Sequence, residues 1–351
     1  MPKMPEQVIN FETTEDLPLV NRARSWTDQL QQAFPDRSFC TAAADINGLT
    51  VLITRYIHHQ YPPGSLVATD SVDNVLLSMR RLARFVSLIP HQSDTSLLGN
   101  GDMWTTSDQF LHMLSGDEEE HAILLCNFFL GLAKTATAEG DRALDLQAWC
   151  VLGHAIPEGH SAYVLTKCEG QRLLWNPATG NAHELHDSHC PLQRVGCLFN
   201  ADNVWANVQR HASPSMITWD VSHARAWRPL FTAKDPSPVL GTVQVELLQF
   251  PAIDEPAIEH VEQVVENALC RNMENWRPRF VTRWNRHCVQ EVRGARTLRV
   301  PMCVCPEGWC KRSGVRGRGA ARDRLAGQTC YGFLASFATP LQSRRQIATN
   351  A

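Results

Sequence analysis

The residues of this chain best suited to chemistry are thiols and imidazoles: 12 Cys and 14 His among 351 residues. Cysteine-dependent acyl transfer needs three groups. A thiolate usually sits at a helix N-terminus, where the dipole lowers its pKa. An imidazole must lie within hydrogen-bond reach, and a third group must orient its ring. A common chain order is Cys at a helix head, His at the start of a strand, and Asp just after the next strand. Read for that order, the sequence offers Cys126 and Cys150 as thiols, His154 and His160 as imidazoles, and Asn176 near the place of the acid.

The element that would have to carry the nucleophile is Gly116–Leu132, GDEEEHAILLCNFFLGL. Asp117 is a good N-cap, and Glu120, three residues on, completes a capping-box pattern. Glu118 and Glu119 stand where the helix dipole favours negative charge, which is the ordinary reading of contiguous acids there rather than a metal site. His121 is three residues beyond Glu118 and is placed for an exposed pair with it. Ala122, Leu125, Cys126, Phe129 and Leu130 make an apolar face, and Gly131 fits a C-terminal stop. Cys126 therefore lies on the apolar stripe, more than two turns from the dipole, and reads as a buried structural thiol. Cys150, inside the apolar run Ala148–Gly153, reads the same way.

Around this helix the pattern is α+β. Residues 1–25 read as a loose polar leader and Trp26–Phe34 as a short helix. Asn47-Gly48 marks a hairpin within 44–57. The adjacent His58 and His59 point to opposite faces of a strand, so no shared metal is expected. Asp70–Val86 and Ser107–Leu114 read as helices, and Lys134–Asp145 as a loop or insertion. Strands follow at Ala148–Gly153, Ser161–Lys167, Gln171–Trp175 and Arg194–Phe199, with a hairpin at Cys168-Glu169-Gly170; Asn203–Val208 fits a short helix or strand. Glu255–Trp276 is a long amphipathic helix with Ile258, Val261, Val265, Leu269 and Met273 as its stripe. Helices first and antiparallel strands after exclude an alternating βαβ order.

The composition, 44% hydrophobic and 20% charged, is that of an ordinary globular chain. No apolar run is long enough to span a bilayer, and the first residues lack the pattern of a secretory signal. The thiols are thus expected to be reduced. Residues 293–351 hold 11 of the 33 Lys+Arg and 2 of the 36 Asp+Glu, so a basic tail follows an acidic body. That tail lacks a periodic apolar face and reads as disordered. The aromatic-basic NWRPRFVTRWNRHC reads as a helix end packed on its domain, with no nucleic-acid partner expected. The Cys303-Val304-Cys305 spacing in MCVCPEGWC, with His287 and Cys288 upstream, does not fit a zinc knuckle. No cofactor or metal is expected.

The segments GDEEEHAILLC, AIPEGHSAYVLT, LLWNPATG and CPLQRVGCLF, with WDVSHARAWRPLF and NWRPRFVTRWNRHC, resemble the transglutaminase-like domain of the coiled-coil and C2 domain-containing proteins of the ciliary transition zone. The resemblance runs from about Ala44 to Cys288. It implies a transglutaminase-like, papain-like cysteine peptidase core: a central helix on an antiparallel sheet, with helical appendages. It implies four segments: a leader 1–43, the domain 44–234, a linker and amphipathic helix 235–292, and the tail 293–351. The family's coiled-coil and C2 parts are not in this sequence, so a fragment or isoform is expected. Laid on this chain, the family's Cys position is Glu118, its His position Ser161 and its Asp position Asn176. A carboxylate, a hydroxyl and an amide cannot replace a thiolate and its base, and His160 is one residue off. The resemblance thus implies a non-catalytic scaffold in the cytoplasm at the cilium base, partnered by other transition-zone proteins, with membrane association only through them. The competing expectation is a cysteine hydrolase or transferase using Cys126 or Cys150 with His154 or His160. Val151, Ala155, Pro157 and Tyr163 would wall a residual peptide cleft.

Overall fold

Alternating apolar positions between Leu146 and Asn207 build most of one sheet, and a helix closes over it. The computed structural model of the chain describes residues 15–68, 71–93, 102–139, 144–250, 255–276, 278, 282–285 and 347–350. They fall into two units, divided at Phe250/Pro251.

The first unit opens with α1 (Leu17–Ala33) and a small hairpin, β1 (Ala42–Ala44) and β2 (Thr50–Leu52). Helices α2 (Val72–Val86), α3 (Ser107–Met113) and α4 (Glu118–Glu139) follow. Seven strands come next: β3 (Leu146–Ala155), β4 (Gly159–Cys168), β5 (Gln171–Asn176), β6 (Asn181–Glu184), β7 (Leu192–Phe199), β8 (Val204–Asn207) and β9 (Trp227–Pro229). They form one antiparallel sheet in the order β6-β5-β4-β3-β7-β8-β9. The β4–β5 turn places Glu169 at φ 46° and Gly170 at φ 86°, the positive pair that a tight hairpin demands.

Both faces of the sheet are buried, and strand alternation sorts their residues. Ala148, Cys150, Leu152, Ala162, Val164 and Trp175 join α4 and α2 in one apolar cluster. Val151, Ala155, Tyr163, Leu165 and Leu174 belong to a second cluster, covered by Ile217, Trp219 and Trp227. The rings of Phe129 on α4 and Trp175 on β5 lie 5.1 Å apart, which fixes the helix on the first face.

Five parts of the chain differ from the expectations. Helix α1 begins at Leu17 rather than Trp26, and Leu19, Val20 and Ala23 are buried. A polar composition hid a stripe that packs on a distant partner. Helix α4 does not stop at Gly131 but runs through to Glu139. Gly131 is there for close approach: a Cβ would overlap the Gln60 carbonyl. Strands β6 and β9 are additional, and too short for period-2 alternation to show. Lastly, His58 and His59 follow a 3₁₀ turn rather than lying on a strand, and their rings sit 4.3 Å apart instead of on opposite faces.

In the second unit, α5 (Glu255–Trp276) has the expected bounds. Val261 and Val265 of its stripe are exposed, as is Val264. Strand β10 (Thr282–Asn285) pairs antiparallel with β11 (Ile347–Asn350), so four tail residues expected to be disordered are strand. The rest of 293–351, MCVCPEGWC, His287 and Cys288 lie outside the described residues. Among the described residues no helix is long and apolar enough to cross a membrane.

Candidate functional site

The head of α4 is built as its sequence suggests. The Asp117 N–H donates to Glu120 Oε2 (3.0 Å), and Asp117 Oδ1 accepts from the Glu119 N–H (3.2 Å). Glu120 Oε1 also accepts from the Thr105 N–H (3.0 Å), which ties the preceding loop to the helix. Glu118 turns outward, its Oε2 lying 3.3 Å from His91 Nε2. His121 is not the exposed partner of Glu118. It is buried, with Nδ1 2.6 Å from the Asp117 carbonyl and Nε2 3.0 Å from that of Ile89.

Glu119 is partly buried and lies among other acids. Asp102, Asp117 and Glu119 offer oxygens within 4.8 Å of one another. Burial, and then the nearby Asp117 charge, hold the Glu119 carboxyl well above the carboxylate range. Burial also raises Glu120, followed by its hydrogen bond with Asp117.

The structure brings two of the three family positions together and leaves the third apart. Ser161 is buried opposite Gly153 on β4, sharing an alternation face with Tyr163. Asn176 Nδ2 donates to Tyr163 Oη (3.0 Å), and its Oδ1 accepts from the N–H groups of Ala178 (3.0 Å) and Thr179 (3.3 Å). Both therefore belong to the face away from α4, and the sheet lies between them and Glu118. A one-residue offset on a strand exchanges its faces, so the imidazole that shares the helix's face is His160. It stands two same-face rows from Cys150, the sheet thiol that meets the helix: Cys150 pairs with Val164, Leu152 with Ala162, and His154 with His160. Its Nδ1 is 3.1 Å from Ser38 Oγ, in the segment that follows α1.

The two candidate thiols are enclosed. Cys126 and Cys150 are fully buried. Cys150 Sγ donates to the Ala122 carbonyl (3.6 Å), and burial, then its bond with Cys126, push its pKa well up. Burial likewise raises Cys197 to about 12.

The expected cleft walls do not form one. Val151, Ala155 and Tyr163 lie inside the second apolar cluster. An open cleft lies on the other face, between the segment 35–39 and the row His154–His160–Arg194, with a volume of about 510 Å³. Sequence reasoning missed Arg37, Ser38 and Arg194 there. No local pattern marks them, because they meet only through the sheet pairing of His154 with Arg194.

A family model described as the CEP76 peptidase-like domain matches residues 102–230. The human Protein CC2D2B is 34% identical over 271 residues, 77% of this chain and 18% of that protein. The coiled-coil and C2 domain-containing protein 2A of Drosophila melanogaster is 26% identical over 268 residues, 74% of this chain and 18% of that one. The chain belongs to the coiled-coil and C2 domain-containing protein 2 family. It spans about a fifth of the length of these relatives. The mouse centrosomal protein of 76 kDa is 25% identical over 234 residues, 62% of this chain and 32% of that protein. The solved structure of Legionella pneumophila LapG (EGTA-treated) shows a looser likeness, TM-score 0.33 at 16% identity over 45% of this chain and 82% of that one. In this member of the coiled-coil and C2 domain-containing protein 2 family, the peptidase-like match begins at the acidic cluster and ends at Leu230. Helix α1, the β1–β2 hairpin and α2 lie before it yet supply core residues of the same unit.

Proposed function

We propose that the first unit is a non-catalytic protein-interaction domain of a cilium-base protein, with other transition-zone proteins as its partners. We also read its helix-on-sheet core as a transglutaminase-like fold that has lost its nucleophile. The observation that carries this reading is the head of α4, where carboxylates stand and no sulfur does. Glu118 lies beside His91 and Glu119 beside Asp102 and Asp117, and neither can form a thioester. The nearest thiol, Cys150, is buried at a raised pKa, and a thiol kept protonated is a poor nucleophile. The imidazole on the helix's face, His160, has Ser38 as its partner. The similarity to centrosomal and coiled-coil and C2 domain-containing proteins supports a place at the base of the cilium, where a binding domain needs no turnover.

The test is kinetic. The full chain is incubated with glutamine-containing peptides and, separately, with a thiol-directed electrophile across pH 6–9. The expected outcome is no turnover and slow labelling of Cys126 and Cys150 unless the protein is unfolded. Rapid labelling of one of them in the native chain with a low apparent pKa, or turnover lost in Cys150→Ala, would overturn the reading in favour of a cysteine hydrolase.

A further inference from the structure

Arg37 is a buried guanidinium without an ion pair among the described residues, the adjacent Asp36 being the one acid whose charge acts on it. It is 6% exposed. Nη1 donates to the Asn207 carbonyl and Nη2 to that of Gln209 (2.6 Å), and the guanidinium lies 4.5 Å from the Phe34 ring centroid. Its Nε has no partner. No carboxylate reaches ion-pair distance of it among the described residues. A buried guanidinium satisfied only by carbonyls and an aromatic face carries the cost of an unpaired charge.

That residue lines the 510 Å³ cleft together with a second guanidinium, Arg194, and two imidazoles. Arg194 is exposed at one wall, where it donates to the Asp36 carbonyl (3.4 Å). His154 and His160 stack edge to face, their centroids 6.1 Å apart. The Nδ1 of His154 is buried without a partner. The Ser38 hydroxyl adds a further donor beside His160. Asp36 is the one carboxylate against these groups among the lining residues. Concave shape, convergent donors and unspent positive charge together define a site for an anion, and guanidinium matches the planar or tetrahedral oxygens of carboxylate and phosphate.

We propose that this cleft binds an oxyanion, the carboxylate or phosphoryl group of a ligand, held by Arg194 and Arg37 with His154, His160 and the Ser38 hydroxyl as further donors. The site lies on the helix-bearing face of the sheet, two same-face rows along β3 from Cys150. It is independent of whether the domain turns over a substrate.

The experiment titrates the full chain with inorganic phosphate and, separately, with glutarate, at ionic strength held constant with sodium chloride. The readouts are the imidazole NMR signals of His154 and His160 and the heat of binding. Saturable shifts of both imidazoles are expected with at least one probe. Arg194→Ala removes a charge-assisted contact from an exposed side chain and is expected to weaken binding about tenfold or more. His160→Ala, also at the surface, is expected to weaken it by a smaller factor. Saturation by phosphate alone assigns a phosphoryl source, and by glutarate alone a carboxylate source. Shifts that follow ionic strength only, or saturable binding unchanged in the Arg194→Ala, His160→Ala double variant, would overturn the proposal.

Discussion

Replacing Glu119 by Gln makes the acidic head of α4 measurable. Asp102, Asp117 and Glu119 lie within 4.8 Å of one another, and burial with Asp117 raises the Glu119 pKa well above its ordinary 4.5. In the unfolded chain the same group ionises near 4.5. The folded state therefore binds the extra proton, and its stabilising effect is complete below about pH 4.5. That contribution is lost as pH rises through the folded pKa. Two unit charges 4.8 Å apart repel by about 3.5 kcal/mol at an effective dielectric constant of about 20. Gln is neutral at every pH, and its amide can donate to Asp117 as the carboxyl proton does. Urea unfolding of the full chain, followed by the fluorescence of the buried Trp104, Trp175 and Trp227, is the assay. Glu119→Gln should match the parent at pH 4.5 and exceed it by up to about 3.5 kcal/mol at pH 8. Parallel stability profiles for the two proteins from pH 4.5 to 8, or a less stable variant at pH 8, would refute the reasoning.

Other substitutions test the packing around the same elements. Gly131→Ala forces a methyl group into the Gln60 backbone and should cost about 1–3 kcal/mol as overpacking; an unchanged urea midpoint would show that the approach of α4 to that segment is looser. Asn176→Ala removes three hydrogen bonds and leaves the buried Tyr163 hydroxyl without its donor, a loss of about 2–3 kcal/mol by the same assay. A neutral result there would deny Asn176 its structural role. His91→Ala breaks the partly exposed pair with Glu118 and should move stability by less than about 1 kcal/mol; a larger drop in thermal midpoint would mean that the outward acid is locked in place.

The parts of the fold that were legible are those written in local pattern. The Asp117 cap with its Glu120 return bond, the Glu169-Gly170 turn and the main strand runs are short-range chemistry, and the structure keeps them, with the Asp117 side chain accepting from Glu119 rather than from Glu120 as a full capping box requires. The parts that were not legible depend on distant neighbours. Gly131 looked like a helix stop because its reason, the Gln60 backbone, lies far away in the sequence. Lys134–Glu139 is polar and looked like a loop, yet it continues a helix already nucleated by packed residues. At the site, residue types were easy to read and their faces were not. Ser161 and His160 differ by one position, and only the register with β3 decides which of them shares a side with α4. The cleft itself joins residues 35–39 to Arg194, so no window of sequence contains it.

Helix α1 is fastened to the far end of its own unit. Arg22 donates to the Leu230 carbonyl (2.8 Å) and pairs with Asp235 (2.6 Å), while the Trp26 indole N–H donates to the Pro229 carbonyl (3.2 Å). At ribosomal rates of about 5–20 residues per second, some 200 residues separate the birth of this helix from that of its anchor, a wait of about 10–40 seconds. Through that interval Arg22 and Trp26 lack the carbonyls and the carboxylate that hold them in the folded unit, so this end of α1 is fastened only once the last strand of the sheet has emerged.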